Sequence, residues 1–201
     1  MRALLGLSRA IDAITGWIGR WAAWLIVVAV LISAGNAIIR KLFDSSSNAW
    51  LEMQWWLFGI VFLLCAPWTL SSNEHIRIDI VNSLFPTWLK NLVEMIGHVL
   101  FLLPITLVML YTATPFFITS WNQNEQSTNA GGLPQWPAKF IVPLAFALLL
   151  IQAISEIIKR MAIISGDLQE TRSGGGHHAA AEAEAKRLLD EIAEKGPAKQ
   201  P

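Results

Sequence analysis

Apolar residues along the chain fall into four long blocks. The first runs from Trp21 to Ile39, between Arg20 and the pair Arg40 and Lys41. The second runs from about Trp50 to Leu70, with no charge between Glu52 and Glu74 and one proline, Pro67. The third begins within Leu92 to Gly97 and continues to about Ile118. It is uncharged from Met95 to Asn124 and carries Pro104 and Pro115, which predict a kink or an early stop. The fourth starts near Pro137 and ends near Ile158, with its charge-free stretch between Lys139 and Glu156. About 20 helical residues cross the roughly 30 Å hydrocarbon layer. The pattern therefore predicts an all-α integral membrane protein with four transmembrane helices, over about 21–39, 50–70, 95–118 and 137–158. Ala34-Gly35-Asn36-Ala37 has the small residues of a signal-peptide cleavage site, but the first block exceeds the roughly 7 to 15 apolar residues of such a peptide. It is read as a span.

The flanking segments have patterns of their own. In residues 1–20, Leu4, Leu7, Ile11, Ile14 and Ile18 fall within an arc of about 80° on a helix, with Arg2, Arg9 and Arg20 on the opposite side. That predicts an amphipathic helix lying in the membrane interface with its arginines toward anionic lipid; the alternative is a plain cytoplasmic extension of the first span. From His75 to Ile80 polar and apolar residues strictly alternate. The period is that of a strand, but an isolated strand at a membrane edge leaves its backbone unpaired. An extended turn is expected there, leading into a short interfacial helix that carries Leu84, Phe85, Trp88 and Leu89. Residues 163–201 are predicted to be a soluble tail, broken at Gly174-Gly175-Gly176 and rich in Ala, Glu and Lys beyond.

Composition agrees with the blocks. Hydrophobic residues make up 54% of the chain and charged residues 15%, with a mean hydropathy of +0.46. Typical soluble domains are about 25% charged. Ten tryptophans, among them Trp21, Trp24, Trp50, Trp55, Trp56, Trp121 and Trp136, cluster near span ends, where indole rings prefer to sit. With a cytoplasmic N-terminus, the inner segments hold Arg2, Arg9, Arg20, Arg77, Lys90, Lys159 and Arg160, and the outer ones hold Arg40, Lys41 and Lys139. This asymmetry predicts both termini in the cytoplasm and the loops at 40–49 and 119–136 in the periplasm.

Catalytic chemistry is missing. There is no phosphate-cradling glycine motif, no Cys pair for zinc and no supported Ser, His and Asp set. No enzyme activity, cofactor or nucleic-acid partner is expected. His98 is the one deep histidine, so a two-histidine haem site is not built, and it is read as a buried donor to a neighbouring helix. Within the spans the polar side chains are mainly Ser33, Asn36, His98, Thr106 and Thr112, too few for a stand-alone carrier. Glu52 has two readings: a carboxylate favoured by the dipole of its own helix, or half of an ion pair with a partner subunit.

Three stretches resemble one family. The second span opens Trp50-Leu51-Glu52-Met53-Gln54-Trp55-Trp56 and continues through Gly59. The next loop reads Asn73-Glu74-His75-Ile76-Arg77-Ile78-Asp79-Ile80. The last loop and span run from Glu125-Gln126-Ser127 through Gly131-Gly132-Leu133-Pro134-Gln135-Trp136-Pro137 to Ser155-Glu156-Ile157-Ile158-Lys159. Together they resemble the small permease subunit (DctQ family) of tripartite ATP-independent periplasmic (TRAP) transporters, and most of all its mannitol/chloroaromatic-type branch. The resemblance covers roughly residues 10–162. It implies four membrane helices and a non-catalytic scaffold beside a large permease subunit. A periplasmic solute-binding protein would deliver an organic acid or related solute, and uptake would be coupled to an ion gradient, usually sodium.

On that reading Glu52, Trp55, Trp56, Gly59, His75, Arg77 and Asp79 are candidates for subunit contact or membrane anchoring. Asp44, Asn48, Trp121 and Glu125 are candidates for docking the binding protein at the periplasmic face. Membrane lipids are the remaining expected partner.

Overall fold

The computed structural model describes residues 2–44, 47–72 and 86–165. Among these, all regular structure is helical: α1 (Arg2–Phe43), α2 (Asn48–Ser71), α3 (Thr87–Ile96), a π-helical segment (Gly97–Leu102), α4 (Leu103–Asn122) and α5 (Trp136–Ile164). Four stretches are long and apolar enough to cross a membrane: Ala3–Phe43, Asn48–Ser71, Asn91–Asn122 and Trp136–Ile164. His75, Arg77 and Asp79, the alternating segment around them and the tail after Ser165 lie outside the described residues.

α1 runs through the expected boundary at residue 20 as one helix of 42 residues. At about 1.5 Å per residue it is about 63 Å long, twice the hydrocarbon thickness. The third stretch does not stop at its prolines either. It continues past Pro104 and Pro115 to Asn122, and the register widens just before the first of them. Pro104 has no N–H and its ring crowds the carbonyl four residues earlier; a wider turn relieves both. Accordingly the Leu103 N–H bonds the His98 carbonyl, five residues back.

α1, α2 and α5 pack against one another, and α4 packs chiefly on α5. Small and polar residues fill the contacts. Gly19 lies so close to Trp68 that an added Cβ would sit 2.6 Å from its Cβ, and Ala22, Ala29, Ala113, Ala145, Ala153 and Ala162 are buried. Lipid tails are as apolar as leucine, so helices in a membrane associate through close backbone approach and hydrogen bonds. The large apolar side chains point outward instead: Trp24, Leu31, Phe58, Phe62, Leu100 and Tyr111 are all exposed.

α2 and α5 start side by side, and the segment 123–135 between α4 and α5 folds over that end, the loop end. Arg2 and Ser165 lie at the other, terminal end, where α1 and α3 each pack against α5.

Candidate functional site

At the loop end the chain turns through Asn124 (φ 45°) and Gly131 (φ 70°), left-handed conformations that Asn and Gly adopt at least cost. Between them a narrow hairpin forms. The Gln135 N–H donates to the Glu125 carbonyl at 2.8 Å and the Ser127 N–H to the Leu133 carbonyl at 3.1 Å. The Asn48 amide secures the tip by donating to the Ala130 carbonyl at 2.9 Å.

This hairpin closes over Glu52, which is only 4% exposed. One carboxylate oxygen accepts from the Ser127 hydroxyl and from Asn129 Nδ2 at 2.8 Å. The other accepts from the Leu133 backbone N–H at 2.7 Å. Ser127 is itself oriented by the Asn129 N–H, 3.1 Å from its Oγ. Gly132 is required for the closure: a Cβ there would lie 2.5 Å from Ser127 Cβ and 2.7 Å from Glu52 Oε1. Three donors aimed at one carboxylate make a stronger local constraint than a helix dipole, which acts diffusely over the first turn. Glu52 thus has a third occupation that neither reading from the sequence contained: it latches the last loop onto α2.

Beside the latch, Glu125 pairs with Lys139, and the lysine ammonium also lies 4.1 Å from the centre of the Phe116 ring. The Lys139 ammonium holds the Glu125 carboxyl below the usual range. Trp121 packs edge-on against Trp136 at 4.4 Å and so ties α4 to α5. Asp44 is exposed, in a left-handed turn after α1. Glu52, Trp55, Trp56, Gly59 and Glu125 all line one cleft between α2 and α5. Asn48, Trp121 and Glu125 are joined to the loop or to its flanking helices.

The terminal end carries a second cluster. Asp12 of α1 accepts from Gln152 Nε2 at 2.8 Å and from Ser155 Oγ at 3.1 Å, and it pairs with Lys159 at 3.1 Å. Thr15 Oγ1 donates to Gln152 Oε1 at 2.8 Å, and the Ser8 and Ser155 hydroxyls lie 2.7 Å apart. A further contact links α3 to α5: Arg160, buried, pairs with Glu94 and donates to Asn91 Oδ1 at 3.1 Å. Sequence reasoning passed over this network because it weighed the apolar arc of residues 1–20. Leu4, Leu7 and Ile14 of that arc are exposed, and the polar stripe Ser8, Asp12, Thr15 makes the contact. The signal was present: those residues recur at intervals of 4 and 3, matching Gln152, Ser155 and Lys159 at intervals of 3 and 4.

Among the described residues the hydrogen bond of His98 stays within its own helix: its Nδ1 lies 2.6 Å from the Glu94 carbonyl one turn back. Thr106, Thr112 and Thr114 likewise donate to carbonyls one turn back. Among the described residues no group of three His, Cys, Asp or Glu could hold a metal ion.

A family model described as "Tripartite ATP-independent periplasmic transporters, DctQ component" matches residues 26–162. The chain belongs to the DctQ family. The match takes in the Glu52 latch, the hairpin and the α5 half of the terminal cluster, whereas Ser8, Asp12 and Thr15 precede it. No curated protein and no solved structure matches the chain. DctQ proteins are subunits of transporters, not enzymes, and membership implies association with a large permease and a periplasmic binding protein. With its four apolar helices, this DctQ component is a multi-pass membrane protein.

Proposed function

We propose that this DctQ component is a fixed scaffold for the large permease subunit and takes no part in forming the solute path. The observation that carries the reading is where its polar groups are spent. Glu52, Asp12, Gln152, Lys159 and Arg160 all fasten one part of this chain to another, and the threonines of α4 bond their own helix. A carrier instead keeps polar groups or broken helix ends free for cargo near mid-membrane. The wide apolar faces of α1, α2 and α4 are then surfaces for lipid and for the permease.

In this reading the protein lies in the bacterial inner membrane with both termini cytoplasmic, supported by the excess of Lys and Arg at the terminal end. The loop end faces the periplasm, where Asp44, Asn48, Trp121 and Glu125 offer a docking surface to the binding protein. Trp55, Trp56 and Gly59, together with His75, Arg77 and Asp79, contact the permease or anchor the chain. The N-terminal half of α1 presents Leu4, Leu7 and Ile14 to the interfacial lipid. Uptake of an organic acid or related solute and sodium coupling belong to the same reading as what the family resemblance implies, and the mannitol/chloroaromatic-type branch rests on the sequence of the last loop and span.

Proteoliposomes test it. The chain alone should give no solute flux, and the permease with its binding protein should need the chain for full uptake. Flux through the chain by itself, or full uptake without it, would refute the scaffold role.

A further inference from the structure

Most polar side chains of the spans are satisfied inside the chain. Thr69, Thr106, Thr112 and Thr114 each donate to a carbonyl one turn back, and Thr15 bonds Gln152 between α1 and α5. Ser33 and Asn36 on α1 and Gln54 on α2 are exceptions. All three are partly buried, and among the described residues their side chains make no hydrogen bond. Ser33 and Gln54 line one groove of about 640 Å³ between α1 and α2, walled also by Ala29, Ala34, Ala37, Trp55 and Phe58. It extends along α1 from Ile26 to Ala37, about 17 Å or roughly three turns. No charged residue lines it, and every wall belongs to α1 or α2, so it opens outward from the bundle within these two spans. Its free polar groups are therefore turned away from the bundle interior, where a solute path would run.

Along the groove Ala29, Ser33 and Ala37 recur at every fourth residue, the spacing by which small side chains let a second helix approach closely. An acyl chain would fill the hollow but leave the Gln54 amide and the Ser33 hydroxyl unpaired in an apolar setting, which costs free energy. A helix carrying one polar side chain satisfies both features. The uncharged walls suit a segment that is itself embedded in the membrane, and membership of the DctQ family implies a large permease beside this chain. We propose that the groove seats one transmembrane helix of that permease, its backbone against Ala29, Ser33 and Ala37 and a hydroxyl, amide or carboxyl side chain bonded to Gln54. The proposal rests on the scaffold reading and gives its Trp55 contact a place: Trp55 and Phe58, both exposed, form one lip of the groove.

Affinity is read in liposomes by energy transfer between dyes on the permease and on the C-terminal tail of the full chain. Gln54→Leu keeps most of the side chain's bulk and removes its hydrogen bonds. It should weaken association roughly three- to twentyfold, the span from an average to a strong polar link between membrane helices. Thr112→Val, which removes a hydroxyl bonded to its own helix, should change nothing. Ala34→Trp fills the groove from an exposed position and should weaken association at least as much as Gln54→Leu. Benzoylphenylalanine in place of Phe58, close in shape to the native ring, should crosslink the permease in the assembled transporter. Wild-type affinity in Gln54→Leu, or crosslinks from position 58 to lipid or to a second copy of this chain instead of the permease, would overturn the site. The scaffold role fails separately, in the uptake measurements: a chain dispensable for uptake that still crosslinks the permease from position 58 would lose that role and keep the groove.

Discussion

The two ends of this protein are fastened in different ways. At the loop end one side chain, Glu52, collects three donors from a single hairpin, so the closure converges on one carboxylate. At the terminal end the polar contacts are spread over Ser8, Asp12 and Thr15 on α1 and over Gln152, Ser155 and Lys159 on α5. Convergence makes a loop definite but fragile, while distribution lets a long helix tolerate the loss of any one contact. The comparison also separates their tasks. The loop end shapes a surface, and the terminal end holds two helices in register.

The sharpest way to break the contrast is Glu52→Ala. All three donors of the hairpin lose their acceptor together, and amide exchange at Leu133 should rise roughly a hundredfold, since local opening sets that rate. Exchange within α5 around Gln152 should not change. Gly132→Ala attacks the same closure sterically and should raise Leu133 exchange roughly tenfold. Adding Ser127→Gly removes two of the three atoms that the new Cβ would strike and should recover part of the loss.

At the terminal end Asp12→Ala removes contacts to Gln152, Ser155 and Lys159. Polar links between membrane helices average about 0.6 kcal/mol each, so the cost should be about 1–2 kcal/mol, with exchange in α1 up by roughly 5- to 30-fold. If Asp12→Ala loosens α1 as much as Glu52→Ala loosens the hairpin, the distinction between the ends is wrong.

The smallest effect concerns pH. The folded-state pKa of Glu125 is lowered by Lys139, so the stability it contributes is present above its unfolded pKa, near 4.5, and is lost as pH falls through the folded value. Opening of the hairpin, read from amide exchange corrected for its intrinsic pH dependence, should be flat from about pH 8 to pH 5 and increase below that. Glu125→Gln should reduce the acid-dependent component, leaving the part that comes from protonation of the Glu52 carboxylate.

How much of this was legible in the sequence differs between the two ends as well. The four spans were, because apolar blocks bounded by charges report membrane crossing directly. The hairpin was visible as a motif: Ser127, Gly131, Gly132 and Leu133 all stood in the stretch resembling the family. That Glu52 is its anchor was not, since 75 residues separate Glu52 from Ser127 and only the packing of α2 beside α5 brings them together. The length of α1 was hidden because an apolar arc at residues 4–18 fits an interfacial helix as well as it fits a continuation. The choice depends on Asp12 meeting Lys159, a contact between distant segments. The third span was expected to run through Pro104, but the way it does so was hidden for a local reason: a proline forbids the α register but not a π turn.

The central claim is that the chain is a rigid scaffold fastened at both ends. It is tested most directly by the distance between spin labels at Arg9 and Thr128, both exposed and at opposite ends, in a Cys65→Ala background. The labels are read by double electron–electron resonance in the assembled transporter. The account predicts one narrow distance that stays the same when binding protein and solute are added. A shift in that distance, or a second population that grows during transport, would contradict it.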